Sequence, residues 1–120
     1  MMSPIFLLKA FLAAILLAMN VNLVQAEPLK PLFALPYVVV YGRDSCPYTR
    51  NMRRELKREG IKFRYQIIDK PKVKQLVYRR MQRSSFSTKE FTLPVVDVSN
   101  KILVHPAPDE VIDIINFGAD

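Results

Sequence analysis

The chain has a single cysteine, and its position predicts a chemistry for it. Cys46 follows an apolar run that ends at Tyr41 and precedes Pro47, a residue suited to the first turn of a helix. The unpaired N–H groups and the dipole of a helix start favour an anion, so they lower the pKa of a thiol placed there. Because the thiolate is the nucleophilic form, the sequence predicts a reactive thiol at Cys46. The alternative, from position alone, is a small buried apolar residue.

The composition excludes several other kinds of site. The length of 120 residues allows one domain, and 50% apolar with 24% charged residues indicates a folded chain. One cysteine excludes an internal disulfide and a zinc site built from several cysteines, and the lone His105 argues against a His-rich metal centre. We therefore expect no metal site. The net charge of +7 concerns partners and solubility rather than fold.

Residues 1–26 have the pattern of a secretory signal peptide. Ala10–Met19 is an unbroken apolar stretch of ten residues, too short for a membrane span of about 20 residues but suited to a signal-peptide core. Val24-Gln25-Ala26 supplies a plausible cleavage site, so we expect export to the periplasm or the extracellular space, with an uncleaved anchor as the alternative. A single unpaired thiol is unusual in an exported protein, since such proteins usually pair their cysteines or lack them.

The rest of the chain predicts an extended, proline-rich lead-in over 27–36 and one α/β domain over 37–120. The predicted order is β-α-β-α-β-β-α, in which the helix between the first two strands makes them parallel and the last two strands form a hairpin. This gives a four-stranded mixed sheet flanked by helices. The predicted strands are Tyr37–Tyr41, Ile61–Ile68, Val95–Val98 and Ile102–Val104, and the predicted helices begin near Pro47, Pro71 and Pro108.

A second feature is Thr92-Leu93-Pro94, which lies directly before a core strand. Proline cannot donate to the strand ladder, but it suits a strand entrance and a cis peptide bond. Leu93 is held extended by the proline after it, so its N–H and C=O can pair with an extended peptide. The alternative is a proline that only marks the strand boundary.

Together these two segments resemble glutaredoxins. Val38–Thr49 (VVVYGRDSCPYT) resembles the family's active-site segment with its Cys-Pro-Tyr-Cys motif, and Thr92–Val95 (TLPV) resembles its Thr-Val-Pro segment. The resemblance extends from Tyr37 to about Phe117. It implies a thioredoxin-like fold, Cys46 as the nucleophile, glutathione as co-substrate with no tightly bound cofactor, and glutathionylated or thiol-containing proteins as partners.

The resemblance also implies roles for binding residues. Arg43 takes the place of a basic residue that engages a glutathione carboxylate, and Tyr48 borders the thiol groove. Leu93 offers its backbone to the peptide-like part of glutathione, with Pro94 in the cis form. The remaining residues of the predicted glutathione-binding set are Thr49, Thr92 and Asp109.

The sequence departs from the glutaredoxin pattern in three ways. Thr49 replaces the second cysteine, so a dithiol mechanism is impossible within one chain and monothiol chemistry remains. The Gly-Gly-Cys-Asp type segment that grips the γ-glutamyl end is absent, and Val104–Asp109 stands in its region. There Asp109 can serve the ligand's amine or act as an ordinary N-cap. The loop Ser84–Phe91 is also longer than usual.

The charge distribution leaves a second function open. Residues 43–89 hold 15 basic residues, whereas residues 90–120 hold only Lys101 against six acids. This pattern is typical of a solvated helix face, an acidic protein partner or an anionic membrane surface, and export argues against nucleic acid. A non-catalytic binding module is therefore the alternative to a monothiol oxidoreductase. A glutathione-ligated iron–sulfur dimer is less expected in an exported chain, and His105 is expected to be a loop residue rather than a general base.

Overall fold

The computed structural model describes residues 28–118 and confirms the predicted α/β architecture. The predicted signal peptide lies outside these residues. Within 28–118, no helix is long and apolar enough to cross a membrane. The elements are β1 (Val38–Gly42), α1 (Pro47–Arg58), β2 (Arg64–Ile67), α2 (Pro71–Arg83), β3 (Val95–Val98), β4 (Lys101–Val104) and α3 (Pro108–Phe117).

The sheet brings the two chemically interesting segments to one end. Its strand order is β2-β1-β3-β4, with β1 parallel to β2 and antiparallel to β3, and β3 antiparallel to β4. Because β3 runs opposite to β1, its first residue Val95 pairs with Tyr41 near the end of β1. The segment that precedes Val95 therefore lies beside the loop that leads from β1 to Cys46.

The helices begin where their prolines predict, and the second strand is shorter than expected. Proline occupies the first turn of all three helices in the described part of the chain, where its missing N–H costs nothing. The predicted strand Ile61–Ile68 is shortened to β2, and at its start Ile61 takes part in the turn that caps α1. Gly60 adopts a left-handed φ of +70°, and the Ile61 N–H donates to the Leu56 carbonyl at 2.9 Å.

The core has two layers, one on each face of the sheet. Successive strand residues point to opposite faces, so Val38 and Val40 of β1 face α1 and α3 while Val39 and Tyr41 face α2. The layer against α1 and α3 contains Val38, Val40, Met52, Leu56, Val96, Val98 and Val111. The layer against α2 contains Tyr37, Val39, Tyr41, Ile68, Val77, Met81, Leu93, Val95 and Ile102.

An ion pair is buried at the end of the sheet away from Cys46. Arg80 of α2 donates from Nη2 to Oδ2 of Asp97 at 2.7 Å, and the Asp97 side chain is fully buried. The Tyr37 hydroxyl donates to the same carboxylate oxygen at 2.9 Å, and the Asn100 backbone N–H donates to Oδ1 at 2.9 Å. The carboxylate is therefore neutralised and hydrogen-bonded on both oxygens, as a buried charge requires.

The same network holds the lead-in segment against the domain. Arg80 donates from Nη1 to the Lys30 carbonyl at 2.9 Å, and the Asn100 side-chain amide donates to the Leu29 carbonyl at 2.7 Å. Leu29 and Leu32 also pack on the apolar layer beneath α2. The lead-in is thus part of the folded unit rather than a free extension.

Candidate thiol active site

Cys46 lies at the N-cap of α1, as the sequence predicts, and is half-buried. Its N–H donates to the Arg43 carbonyl at 3.1 Å, which closes a tight turn after β1. Its own carbonyl accepts the Arg50 N–H at 3.1 Å, the first hydrogen bond of the helix. The sulfur is therefore held directly in front of the unpaired N–H groups of a helix start.

The surroundings of Cys46 lower its pKa below the ordinary value of a thiol. Burial is the largest influence and opposes ionisation, but several hydrogen bonds to the sulfur outweigh it. These come from the Thr49 hydroxyl and from the backbone N–H groups of Thr49 and Tyr48, and the Arg50 charge adds to them. A lowered pKa raises the fraction of thiolate near neutral pH.

Thr49 is fully buried beneath the sulfur. Its Oγ1 accepts the Arg43 N–H at 3.4 Å, so the hydroxyl hydrogen is free to point toward Cys46. Gly42 makes room for this side chain, because a Cβ at that position would clash with Thr49 Oγ1. Thr49, which stands where the resemblance implies a second cysteine, therefore stabilises the thiolate without being able to form a disulfide.

The loop before Cys46 is fixed by contacts of Asp44 with Tyr65 and Arg53, which the sequence analysis did not predict. The Asp44 carboxylate accepts the Tyr65 hydroxyl at 2.8 Å and Arg53 Nη1 at 3.4 Å. The Arg53 guanidinium also stacks 3.9 Å from the centroid of the Tyr65 ring. Burial, followed by the hydrogen bond to Asp44 and its charge, raises the pKa of Tyr65 to about 12. The phenol therefore stays a hydrogen-bond donor throughout the neutral range.

The Leu93–Pro94 peptide bond is cis, and Leu93 is buried. No acceptor within residues 28–118 takes the Leu93 N–H, which leaves this donor available to a ligand. The Leu93 carbonyl accepts a hydrogen bond from Nδ1 of His105 at 2.9 Å. The Leu93 N–H is thus open to a ligand, whereas the Leu93 carbonyl already accepts one hydrogen bond.

His105 is a loop residue, as expected, but it belongs to the site. It follows β4 with a left-handed φ of +53°, and its N–H donates to the Pro94 carbonyl at 2.8 Å. Its ring meets the ring of Tyr48 edge to face, with the centroids 4.8 Å apart. The imidazole therefore connects Tyr48 of α1 with Leu93, two residues 45 positions apart whose contact has no local signal in the sequence.

A cavity of about 470 Å³ opens beside Leu93 and contains Arg43. Nε of Arg43 donates to both carboxylate oxygens of Asp69, at 3.0 and 2.9 Å. Both side chains are about half exposed, so the pair is weakly held and can rearrange around a ligand. The cavity is lined by Arg43, Ile68, Lys74, Tyr78, Thr88, Lys89, Glu90, Phe91, Thr92 and Leu93. Lys74 and Lys89 are absent from the predicted site because they come from α2 and from the loop after it.

Asp109 is not the N-cap of α3, so that alternative from the sequence is wrong. Pro108 takes the first helical position, which makes Ala107 the N-cap and places Asp109 inside the first turn. The capping role falls to Glu110, whose carboxylate accepts the Ala107 N–H at 3.3 Å. Asp109 is exposed and has no hydrogen-bond partner within the described residues.

No group of three or more His, Cys, Asp or Glu side chains suited to a metal ion occurs in residues 28–118. The expected absence of a metal site stays a prediction for the chain as a whole. Within the described part, the polar groups near Cys46 hydrogen-bond to its sulfur, bond to the Leu93 carbonyl or line the cavity beside Leu93.

The comparisons with known proteins identify the family and agree with this fold. The chain belongs to the glutaredoxin family, since the family model for glutaredoxin matches residues 38–103. A glutaredoxin from Archaeoglobus fulgidus is similar in structure, with a TM-score of 0.53 and 25% identity over 68% of this chain and 88% of that chain. Glutaredoxin 1 from Francisella tularensis, solved with cacodylate, has a TM-score of 0.47 and 21% identity over 67% and 92%. The search of curated proteins gave no significant match.

Family and fold together support a thiol–disulfide oxidoreductase function. The sheet, the three described helices and the sheet end that carries Cys46 are those of a thioredoxin-like fold.

Proposed function

We propose that the chain is a glutaredoxin-like thiol–disulfide oxidoreductase that uses a monothiol mechanism through Cys46. Glutathione is its co-substrate, and no cofactor is tightly bound. The observation that carries the proposal is the placement of Cys46, a half-buried thiol at the N-cap of α1 with no other cysteine in the chain. The lowered pKa of this thiol supports the same role. The cis Leu93–Pro94 bond at the same sheet end supplies a backbone edge for a peptide-like substrate.

The proposed reaction consists of two exchanges. The Cys46 thiolate attacks the glutathione sulfur of a glutathionylated protein, so a Cys46–glutathione disulfide forms as the original disulfide breaks. The protein thiolate leaves with the electron pair and takes a proton from solvent. A second glutathione thiolate then attacks the glutathione sulfur on Cys46, which releases glutathione disulfide and restores the Cys46 thiolate. Two electrons pass from glutathione to the substrate, and no second cysteine is needed.

The other predicted residues have supporting parts in this scheme. Thr49 stabilises the Cys46 thiolate both as attacking group and as leaving group. The Leu93 N–H is a free donor for the backbone carbonyl of the bound thiol. Arg43 and Thr92 line the cavity that would receive a glutathione carboxylate, and Tyr48 forms the opposite border of the groove.

Steady-state removal of glutathione from a glutathionylated peptide tests this function. We expect turnover by the full chain and its complete loss in Cys46→Ser, because serine is not a nucleophile toward disulfides at neutral pH. Ser45→Ala is the matched control, since it alters the exposed neighbouring residue and keeps the thiol. Turnover that Cys46→Ser retains would refute the proposed mechanism.

A second candidate is a binding module for an acidic protein or an anionic membrane surface. It is favoured by α1, whose first turn has no acidic residue and whose exposed side carries Arg50, Arg54, Lys57 and Arg58. Binding of the Cys46→Ser protein to acidic peptides or to vesicles containing anionic lipid separates this role from catalysis. Salt-sensitive binding without Cys46-dependent turnover would favour the binding module.

We also propose that the chain is exported through residues 1–26. The support is the apolar run Ala10–Met19 followed by Val24-Gln25-Ala26. N-terminal sequencing of the protein recovered from the periplasm or the medium is expected to begin at Glu27. A chain that retains Met1 in the membrane fraction would instead indicate an anchor.

A further inference from the structure

The end of the sheet opposite Cys46, called the distal end below, gathers large apolar side chains that the fold leaves exposed. Phe33 and Leu35 belong to the lead-in, and Phe117 is the last residue of α3. Phe33 is 38% exposed, Leu35 59% and Phe117 81%, so they add little to the core. Their exposure at one end of the molecule calls for a partner.

The strand directions explain why these segments meet. Val38, the first residue of β1, pairs with Val98, the last residue of β3, and this pair marks the distal end. Because β4 runs back from that end, α3 begins on the Cys46 side and ends at the distal end. Helices α1 and α2 follow the parallel strands β1 and β2, so they also end there.

Two cavities open at the distal end, with volumes of about 540 and about 430 Å³. They share several lining residues, Lys62 among them, so they adjoin each other. The larger one is lined by Pro36 and Gly118, the direct neighbours of Leu35 and Phe117. The smaller one is lined by Phe33. The exposed apolar side chains therefore surround one depression instead of being scattered over the surface.

The depression is bordered by cations. Lys62 lines both cavities, and Arg64 lines the smaller one with its guanidinium 4.0 Å from the centroid of the Phe33 ring. No acidic residue of the described chain lines either cavity. Lys57 and Arg83, in the last turns of α1 and α2, add positive charge that offsets the negative ends of these helix dipoles.

An apolar rim among cations matches the interfacial layer of an anionic membrane. Leucine and phenylalanine enter the boundary of the acyl chains there, while lysine and arginine meet lipid phosphates. The path of the chain favours the same partner. The Leu29 carbonyl accepts the side-chain amide of Asn100, in the turn between β3 and β4, at 2.7 Å. Residues 1–27, which include the apolar run Ala10–Met19, therefore join the domain at the distal end.

We propose that the distal end is a peripheral binding surface for anionic membranes, which holds the domain with Cys46 facing away from the bilayer. The proposal adds membrane attachment to the proposed function and does not rest on the chemistry of Cys46. It also places the contact at the distal end instead of along the side of α1.

Tryptophan reporters test the orientation, because the chain contains no tryptophan of its own. Phe117→Trp places one at the distal end, and Tyr48→Trp places one beside Cys46, where Tyr48 is 57% exposed. Each full-length variant is mixed with vesicles of equal parts phosphatidylglycerol and brominated phosphatidylcholine. We expect a blue shift and quenching of the Phe117→Trp emission, and an unchanged emission from Tyr48→Trp.

Two double variants with the same loss of charge test the cations. Lys62→Gln/Arg64→Gln should lower the vesicle partition coefficient of the Phe117→Trp chain by about tenfold or more, since each basic residue at an anionic surface contributes about fivefold. Lys74→Gln/Lys89→Gln removes two charges from the cavity beside Leu93 and should lower it by less than about threefold. Added salt should weaken the binding.

Several results would overturn the proposal. They are equal quenching of both reporters, equal losses in the two double variants, and binding to polyglutamate but not to vesicles, which would indicate an acidic protein partner. Tethering by residues 1–26 without contact of the domain would leave both reporters unquenched and would also overturn it. None of these results bears on Cys46-dependent turnover, so the proposed function is tested separately.

Discussion

Replacing Arg80 by Met leaves the carboxylate of Asp97 buried without its cation. Asp97 is fully buried and Arg80 is 5% exposed, so water cannot replace the lost partner. Removing one member of such a pair typically costs about 3 to 5 kcal/mol in the free energy of unfolding. The Tyr37 and Asn100 hydrogen bonds to the carboxylate remain, which favours the lower end of that range.

For a domain of this size, the loss corresponds to a fall in Tm of about 12 to 40 °C. Urea unfolding followed by circular dichroism measures the change directly, with Arg79→Met as the control because Arg79 is the exposed neighbour on the same helix. The lead-in should also become more accessible to protease, since Arg80 holds the Lys30 carbonyl. A destabilisation by Arg80→Met no larger than that of Arg79→Met would refute the reasoning.

Three further outcomes follow from the site. Thr49→Val keeps the side-chain shape but removes the hydroxyl, so the pKa of Cys46 should rise and its alkylation by iodoacetamide should shift to higher pH; an unchanged pH profile would contradict the role of Thr49. Gly42→Ala should destabilise the fold by about 1 to 3 kcal/mol through its clash with Thr49 and should be partly rescued by Thr49→Ala, as judged by urea unfolding. Burial raises the pKa of Tyr41 from 10.0 to about 12, so the free energy of unfolding should fall as pH rises between those values; this fall should be smaller in Tyr41→Phe, and an equal fall in that variant would contradict the role given to Tyr41.

The sequence allowed the architecture to be predicted because its signals are local. Pro47, Pro71 and Pro108 mark the helix starts, and the apolar run before Gly42 marks a strand covered on both faces. The position of Cys46 between strand and helix follows from the same signals. The cis form of the Leu93–Pro94 bond came from the resemblance rather than from periodicity.

The parts that escaped prediction depend on contacts between distant residues. Asp97 sits in the apolar run Val95–Val98, and its partner Arg80 reads as one of several basic residues at a helix end. Only the tertiary fold shows that one of these arginines turns inward. His105 and Tyr65 were missed for the same reason, since each acts on a segment far from its own.

Trapping the Cys46–glutathione disulfide is the most direct test of monothiol catalysis through Cys46. The full chain is mixed with a glutathionylated peptide without added glutathione, quenched with acid and analysed by intact mass and peptide mapping. We expect one glutathionyl group on Cys46, formed in step with release of one peptide thiol and faster than on a model cysteine peptide at the same pH. Added glutathione should then remove that group. Release of the peptide thiol without an adduct on Cys46, or an adduct formed no faster than on the model peptide, would contradict that mechanism.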